Sequence, residues 1–181
     1  MIIAAVGMPG SGKSVFSEEL RRRGLPIVYF GGLVLQEVRA RNLPATPENE
    51  RAVREELRHK HGMDAMAQLA LPQLRTHISG DVSVSIDGLY SFSEYKTLKG
   101  EFGDQLVLVG IVAPRSLRHE RLANREVRPL TFDEARQRDI AEIEKLEKGG
   151  PIAIADHYIH NHGDLDEFIS ETNTLLDHLL G

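Results

Sequence analysis

Ile2-Ile3-Ala4-Ala5-Val6-Gly7-Met8-Pro9-Gly10-Ser11-Gly12-Lys13-Ser14 is the stretch on which the reading of this chain turns. Its opening residues are apolar and partly β-branched, as in a strand buried on both faces. From Gly7 to Ser14 the chain fits G-x-x-x-x-G-K-[ST], and Val15, Phe16 and Leu20 then recur at helical spacing until Gly24 supplies a stop signal. A strand, a glycine-rich loop and a helix in that order form a phosphate cradle. Glycines let successive backbone N–H groups curl around an anion, and the positive end of the helix dipole points at the same place. Gly7, Pro9, Gly10, Ser11 and Gly12 are therefore expected to line a nucleotide's phosphates, with Lys13 bridging the β- and γ-phosphates. The Ser14 hydroxyl is a hard oxygen donor suited to Mg²⁺.

Working outward, short β-rich runs alternate with longer amphipathic segments, which predicts an α/β fold with helices on both faces of a doubly wound parallel sheet of about five strands. The expected strands are Ile2–Val6, Pro26–Phe30, Val82–Ile86, Leu106–Val112 and Ile152–Ala155, the last restarting at Tyr158. Helix starts follow from Thr46 before Pro47, from the S/T-x-x-E boxes Ser91/Glu94 and Thr131/Glu134, and from Asp164. No linker or repeat divides the chain, so residues 1–181 read as one domain with two insertions. The first, 33–79, is a helical segment on the acceptor side, and the second, 115–148, is an arginine-rich lid; both are expected to lie as flaps over one edge of the sheet.

Composition narrows the functions. Twenty-two Lys and Arg against 27 Asp and Glu give a net charge of -5, which argues against nucleic-acid binding driven by net charge. The absence of cysteine removes disulfide scaffolds and thiolate metal sites. No apolar run approaches the roughly 20 residues that a membrane helix needs, and the N-terminus lacks a basic segment before its apolar run, so no membrane association and a cytoplasmic location are expected. Oligomeric state stays open.

Two further features carry chemistry. Asp87 follows the expected third strand, at the carboxyl end of the sheet where α/β ligands bind, and is placed to hold a magnesium water or to accept a proton from an acceptor hydroxyl; a turn-forming aspartate beside Gly88 is the plainer alternative. Arg115, Arg118, Arg121, Arg125 and Arg128 precede Arg136 and Arg138, and positions 118 to 128 share one face if a single helix spans them. Clustered guanidiniums suit the charge on a transferring phosphoryl group, or else form a solvated face paired with Glu120, Glu126 and Glu134.

These residues together resemble the P-loop nucleotide and nucleoside-phosphate kinases, particularly the small adenylate-kinase-related and dephospho-CoA-kinase-like members. The resemblance extends over nearly the whole chain. Ile86-Asp87-Gly88 is similar to the family's strand-three Asp-Gly, Arg121-Leu122-Ala123-Asn124-Arg125 to its lid R-x-x-x-R, and Ala155-Asp156-His157-Tyr158-Ile159-His160-Asn161 to the A-D-x-x-I-x-N run before the last helix. It implies an ATP-dependent phosphotransferase using ATP and Mg²⁺, with Lys13, Asp87, Arg121 and Arg125 in catalysis, Arg121 stacked on adenine and Asn161 near the base. Plain loop capping is the alternative for Asp156 and Asn161.

The acceptor half departs from the pattern. Gly31-Gly32-Leu33-Val34-Leu35 stands where adenylate kinases carry Gly-Asp-x-x-Arg, Leu89-Tyr90-Ser91 lacks the arginine that usually follows Asp-Gly, and Phe30-Gly31-Gly32 lacks the aspartate of dephospho-CoA kinases. The expected acceptor is thus a small molecule other than AMP, with Arg39, Arg41, Arg54 or Arg58 compensating and Tyr90 contacting a less charged acceptor or simply packing. Dephospho-CoA kinase and a nucleotide-binding switch without a small acceptor are the competing readings. His157, His160 and His162 lack a zinc spacing and read as a solvated loop, and Arg21-Arg22-Arg23 as a helix terminus.

Overall fold

The computed structural model describes residues 1–181. Its centre is β1 (Ile2–Val6), buried at every position. Ile2, Ala4 and Val6 face a core of 21 buried residues on one side of the sheet, and Ile3 and Ala5 face a second core of 9 on the other. That division is the period-two alternation of a strand between two helical layers. The remaining strands are β2 (Ile27–Tyr29), β3 (Val84–Asp87), β4 (Leu106–Val112) and β5 (His157–His160), all parallel, in the order β2-β3-β1-β4-β5. The three-layer α/β architecture with a five-stranded doubly wound sheet is as the sequence predicts.

On the smaller core's face lie α1 (Lys13–Arg22) and α9 (Leu165–Leu180), which contribute Phe16, Leu20, Phe168 and Leu176. On the other face lie α2 (Phe30–Ala40), α3 (Pro47–His61), α4 (Ala65–Ser79) and α5 (Phe92–Phe102). The anticipated caps form: Thr46 accepts from Asn49 N, Ser91 and Thr131 close reciprocal boxes with Glu94 and Glu134, and Asp164 accepts from Glu167 N. The 33–79 stretch differs from an edge flap. Val34, Val38, Ala67, Ala70 and Leu74 are fully buried in the larger core, so these helices build the layer over β2 and β3.

Two local expectations are corrected. Ile152–Ala155 is not a strand: Gly149–Ala153 forms the short helix α8, with Pro151 in its first turn where no N–H is required. Pairing with β4 falls on His157–His160, where the sequence has the strand restarting at Tyr158, an edge strand that buries only Ile159 and so carries little hydrophobic signal. The arginine helix is likewise shorter than the spacing suggests. α6 (Arg115–Asn124) stops before Arg125, which is extended, and Arg128 before Pro129 has φ 53°. After that break, capped by Thr131, α7 (Phe132–Leu146) begins. Arg125 and Arg128 therefore leave the face shared by Arg118 and Arg121.

Candidate active site

The β1–α1 loop curls over the carboxyl end of the sheet beside a cavity of about 620 Å³, lined by Pro9, Gly10, Gly12, Lys13, Ser14, Asp87, Tyr90, Arg121, Arg125, Arg138, Lys148 and Asn161 among others. Residues from six separate segments meet there because every parallel strand ends on the same side. The loop is held in shape from behind. Gly12, with φ 110°, has no room for a side chain, since an added Cβ would lie 2.2 Å from Asn161 Nδ2. Asn161 Nδ2 donates to Ser11 O at 2.8 Å, while Asn161 Oδ1 accepts from Arg121 at 2.9 Å. Asn161 thus ties the loop to α6, and Arg121 is anchored at the cavity rim.

Arg118 is turned away from this cavity. It is buried, donates to Pro9 O at 2.9 Å and grips Asp139 of α7 with both terminal nitrogens, at 2.9 and 2.7 Å. It braces the loop against α7 rather than facing a ligand, and Asp139, not a glutamate of the run, is its partner. Arg125 lines the cavity and donates from Nε to Arg128 O. Arg115 and Arg136 are exposed. Asp156 bonds both ways with the backbone of Leu108, joining β5 to β4, which is the capping role. His162 bonds to His160 O, and no group of three or more His, Asp or Glu side chains is arranged to hold a metal ion.

Electrostatics concentrate on Lys13. Its ammonium donates to Gly7 O at 2.7 Å and Met8 O at 3.0 Å, yet burial, reinforced by the neighbouring Lys148, pushes it down to about 7. Lys148, in the turn between α7 and α8, gave no sequence signal. It is 2% exposed, pairs with Glu142, and its Nζ stands 4.5 Å above the Tyr90 ring. Burial alone would raise the Glu142 carboxyl, but Lys148 and Arg138 hold it below the usual range, so the carboxylate stays charged between two cations. Asp87 is raised by burial, with Arg21 and Lys13 drawing it back. Tyr90 is pushed up to about 12 by burial and by Asp87, which keeps its phenol protonated.

The donor set fits a magnesium nucleotide. A lysine-bearing glycine loop at the N-terminus of α1 matches a polyphosphate, and the Ser14 hydroxyl and Asp87 carboxylate are oxygen donors of the kind Mg²⁺ prefers. Lys13, Arg121, Arg125, Arg138 and Lys148 converge on a space whose only lining carboxylate is Asp87. Such a site favours an anion with several charges.

Comparison with known proteins agrees with this geometry. The profile of a family described as an AAA domain matches residues 6–147. The UPF0200 protein TK1334 of Thermococcus kodakarensis is 36% identical over 183 residues, spanning 99% of this chain and 98% of that protein. The chain belongs to the UPF0200 family, with an AAA-type domain. Among solved structures, dephospho-CoA kinase from Campylobacter jejuni superposes with a TM-score of 0.63 at 16% identity, covering 98% of this chain and 96% of that one. Shikimate kinase from Bacteroides thetaiotaomicron gives 0.61 at 15% identity, over 100% and 99%. The fold is that of the small P-loop kinases.

Proposed function

We propose that this protein is an ATP-dependent phosphotransferase that moves the γ-phosphoryl group of MgATP to the hydroxyl of a small acceptor. The observation that carries the reading is the convergence of Lys13, Asp87, Arg121, Arg125 and Lys148 on one cavity in front of the glycine loop. In this reading the loop from Gly7 to Gly12 and the ammonium of Lys13 bind the phosphates, while Arg121, held by Asn161, lies along the base. Ser14 and Asp87 are placed to hold Mg²⁺, which when bound neutralises charge on the β- and γ-phosphates. Arg125 and Lys148 stabilise the equatorial oxygens of the transferring group. Asp87 also takes the proton of the acceptor hydroxyl as the acceptor oxygen bonds to phosphorus and the bond to ADP breaks.

A dephospho-CoA kinase has support in the fold, but Tyr29-Phe30-Gly31 at the end of β2 offers no aspartate. A nucleotide switch without an acceptor leaves a second cavity beside the first without a purpose. The test is Lys13→Ala, which should abolish ATP-dependent turnover and weaken MgATP binding in calorimetry. Full turnover in that variant sinks the assignment.

A further inference from the structure

Beside the main cavity is a smaller one of about 240 Å³, lined by Tyr29, Phe30, Gly31, Arg54, Arg58, Tyr90, Arg138 and Glu142 among others. Tyr90 and Arg138 belong to both linings, so the two spaces share a wall at the point where Asp87 and Lys148 stand. An acceptor in the smaller space would present its hydroxyl at that junction.

Charge in the smaller cavity is unbalanced. Arg54 makes no hydrogen bond and no ion pair, unlike its neighbours Arg51, bound to Glu55, and Arg58. Arg58 is 12% exposed and its nearest carboxylate oxygen, Glu94 Oε1, is 3.7 Å away, beyond hydrogen-bond reach. Arg58 Nε and Glu94 Oε1 are both buried without a partner. Glu94 is committed through its other oxygen, which accepts from the backbone N–H groups of Tyr90 and Ser91. Glu142 is spent on Lys148 and Arg138. Arg54, with a wholly free guanidinium, and Arg58, one helical turn away on α3, both line the cavity, so two guanidinium groups face a space in which no carboxylate is left to pair with them.

The walls limit what carries that anion. Tyr29 lies across Gly31, where an added Cβ would come within 2.4 Å of its ring, so the aromatic side chain closes the space over the start of α2. At about 240 Å³ the cavity is smaller than the roughly 300–1,000 Å³ that holds drug-sized ligands.

We propose that this smaller cavity is the acceptor subsite and that it takes a compact hydroxylated anion, a carboxylic acid or a phosphate ester smaller than a nucleoside monophosphate, with its anionic group on Arg54 and Arg58. The inference rests on the phosphotransferase reading above and names its substrate class. The anion bridges the two guanidiniums, the body of the molecule lies against Tyr29 and Phe30, and its hydroxyl reaches the Tyr90 wall next to Asp87.

The experiment measures ADP release from MgATP with glycerate, glycerol 3-phosphate, ribose 5-phosphate, AMP and UMP, alongside calorimetric binding of MgATP. The expected result is a kcat/KM at least tenfold higher with one of the three compact anions than with either nucleotide; glycerate against the two phosphates separates a carboxylate site from a phosphate site. Arg54→Ala should raise the KM for that acceptor at least tenfold while its Kd for MgATP stays within twofold of the parent protein. Arg54→Lys should recover little, because a point charge does not replace the planar fork. Arg54 is partly exposed, so its variant keeps the test open if Arg58→Ala fails to fold. Preference for AMP or UMP, or an unchanged acceptor KM in Arg54→Ala, overturns the inference. So does MgATP binding with no stimulation by any compact anion, which leaves the nucleotide site standing. Absence of MgATP binding overturns the phosphotransferase reading itself.

Discussion

Adding MgATP at pH 8 should make the protein take up close to one proton per nucleotide bound. Lys13 is pushed down to about 7, first by burial and then by Lys148, so at pH 8 only about a tenth of the molecules carry the ammonium. The fall from its ordinary value of 10.5 corresponds to roughly 5 kcal/mol in favour of the neutral amine. One phosphate charge about 4 Å away, at an effective dielectric near 20, returns about 4 kcal/mol, and a terminal phosphate with nearly two charges returns more. Binding should therefore restore the ammonium and draw about 0.9 proton from solution. Calorimetric titration at pH 8 in two buffers of different ionisation enthalpy counts those protons; near pH 6, where Lys13 is already charged, the count should fall towards zero. Lys148→Ala removes the second cause of the depression and should reduce the uptake at pH 8. The same depression has a sign in stability. Between about 7 and 10.5 the unfolded chain holds a proton that the folded chain does not, so stability rises with pH across that window in the parent protein and not in Lys13→Met. An uptake below about 0.2 proton at pH 8 would refute this account of Lys13.

Two further outcomes test the architecture behind the loop. Gly12→Ala should cost about 3 kcal/mol in urea unfolding, combining roughly 1–2 kcal/mol for a positive φ with the overlap against Asn161 and Phe168; a loss under about 1 kcal/mol would show that the loop moves aside freely. Arg118→Ala should cost about 3 kcal/mol, the low end for breaking a buried pair because Asp139 keeps His119 at 3.0 Å. It should also weaken MgATP binding at least fivefold by freeing Pro9 O, and an unchanged Kd would mean that the brace does not shape the loop.

Local sequence was enough to determine β1, the glycine loop, α1 and the helix caps. Each depends on residues within a few positions: glycines that admit positive φ, a hydroxyl or carboxylate that satisfies free N–H groups, and a period of two or three to four in the apolar residues. The same local evidence marked Asp87, because a strand ending at an acid is visible without knowing its neighbours. Tertiary structure alone decided the rest. β5 buries one side chain and takes its place from pairing with β4, so the sequence showed it only as a restart at Tyr158 after a more apolar stretch, Ile152–Ala155, that pairing leaves out of the sheet. Arg118 and Arg121 are one helical turn apart and look equivalent, yet Asp139, 21 residues further on, captures one and Asn161, 40 residues on, anchors the other at the cavity. Lys148 is a single lysine after a charged helix until folding buries it against Glu142, Tyr90 and Lys13. Charge and hydrogen bonding act over a few ångströms of space, and which residues share those ångströms is set by the order of strands in the sheet and not by distance along the chain.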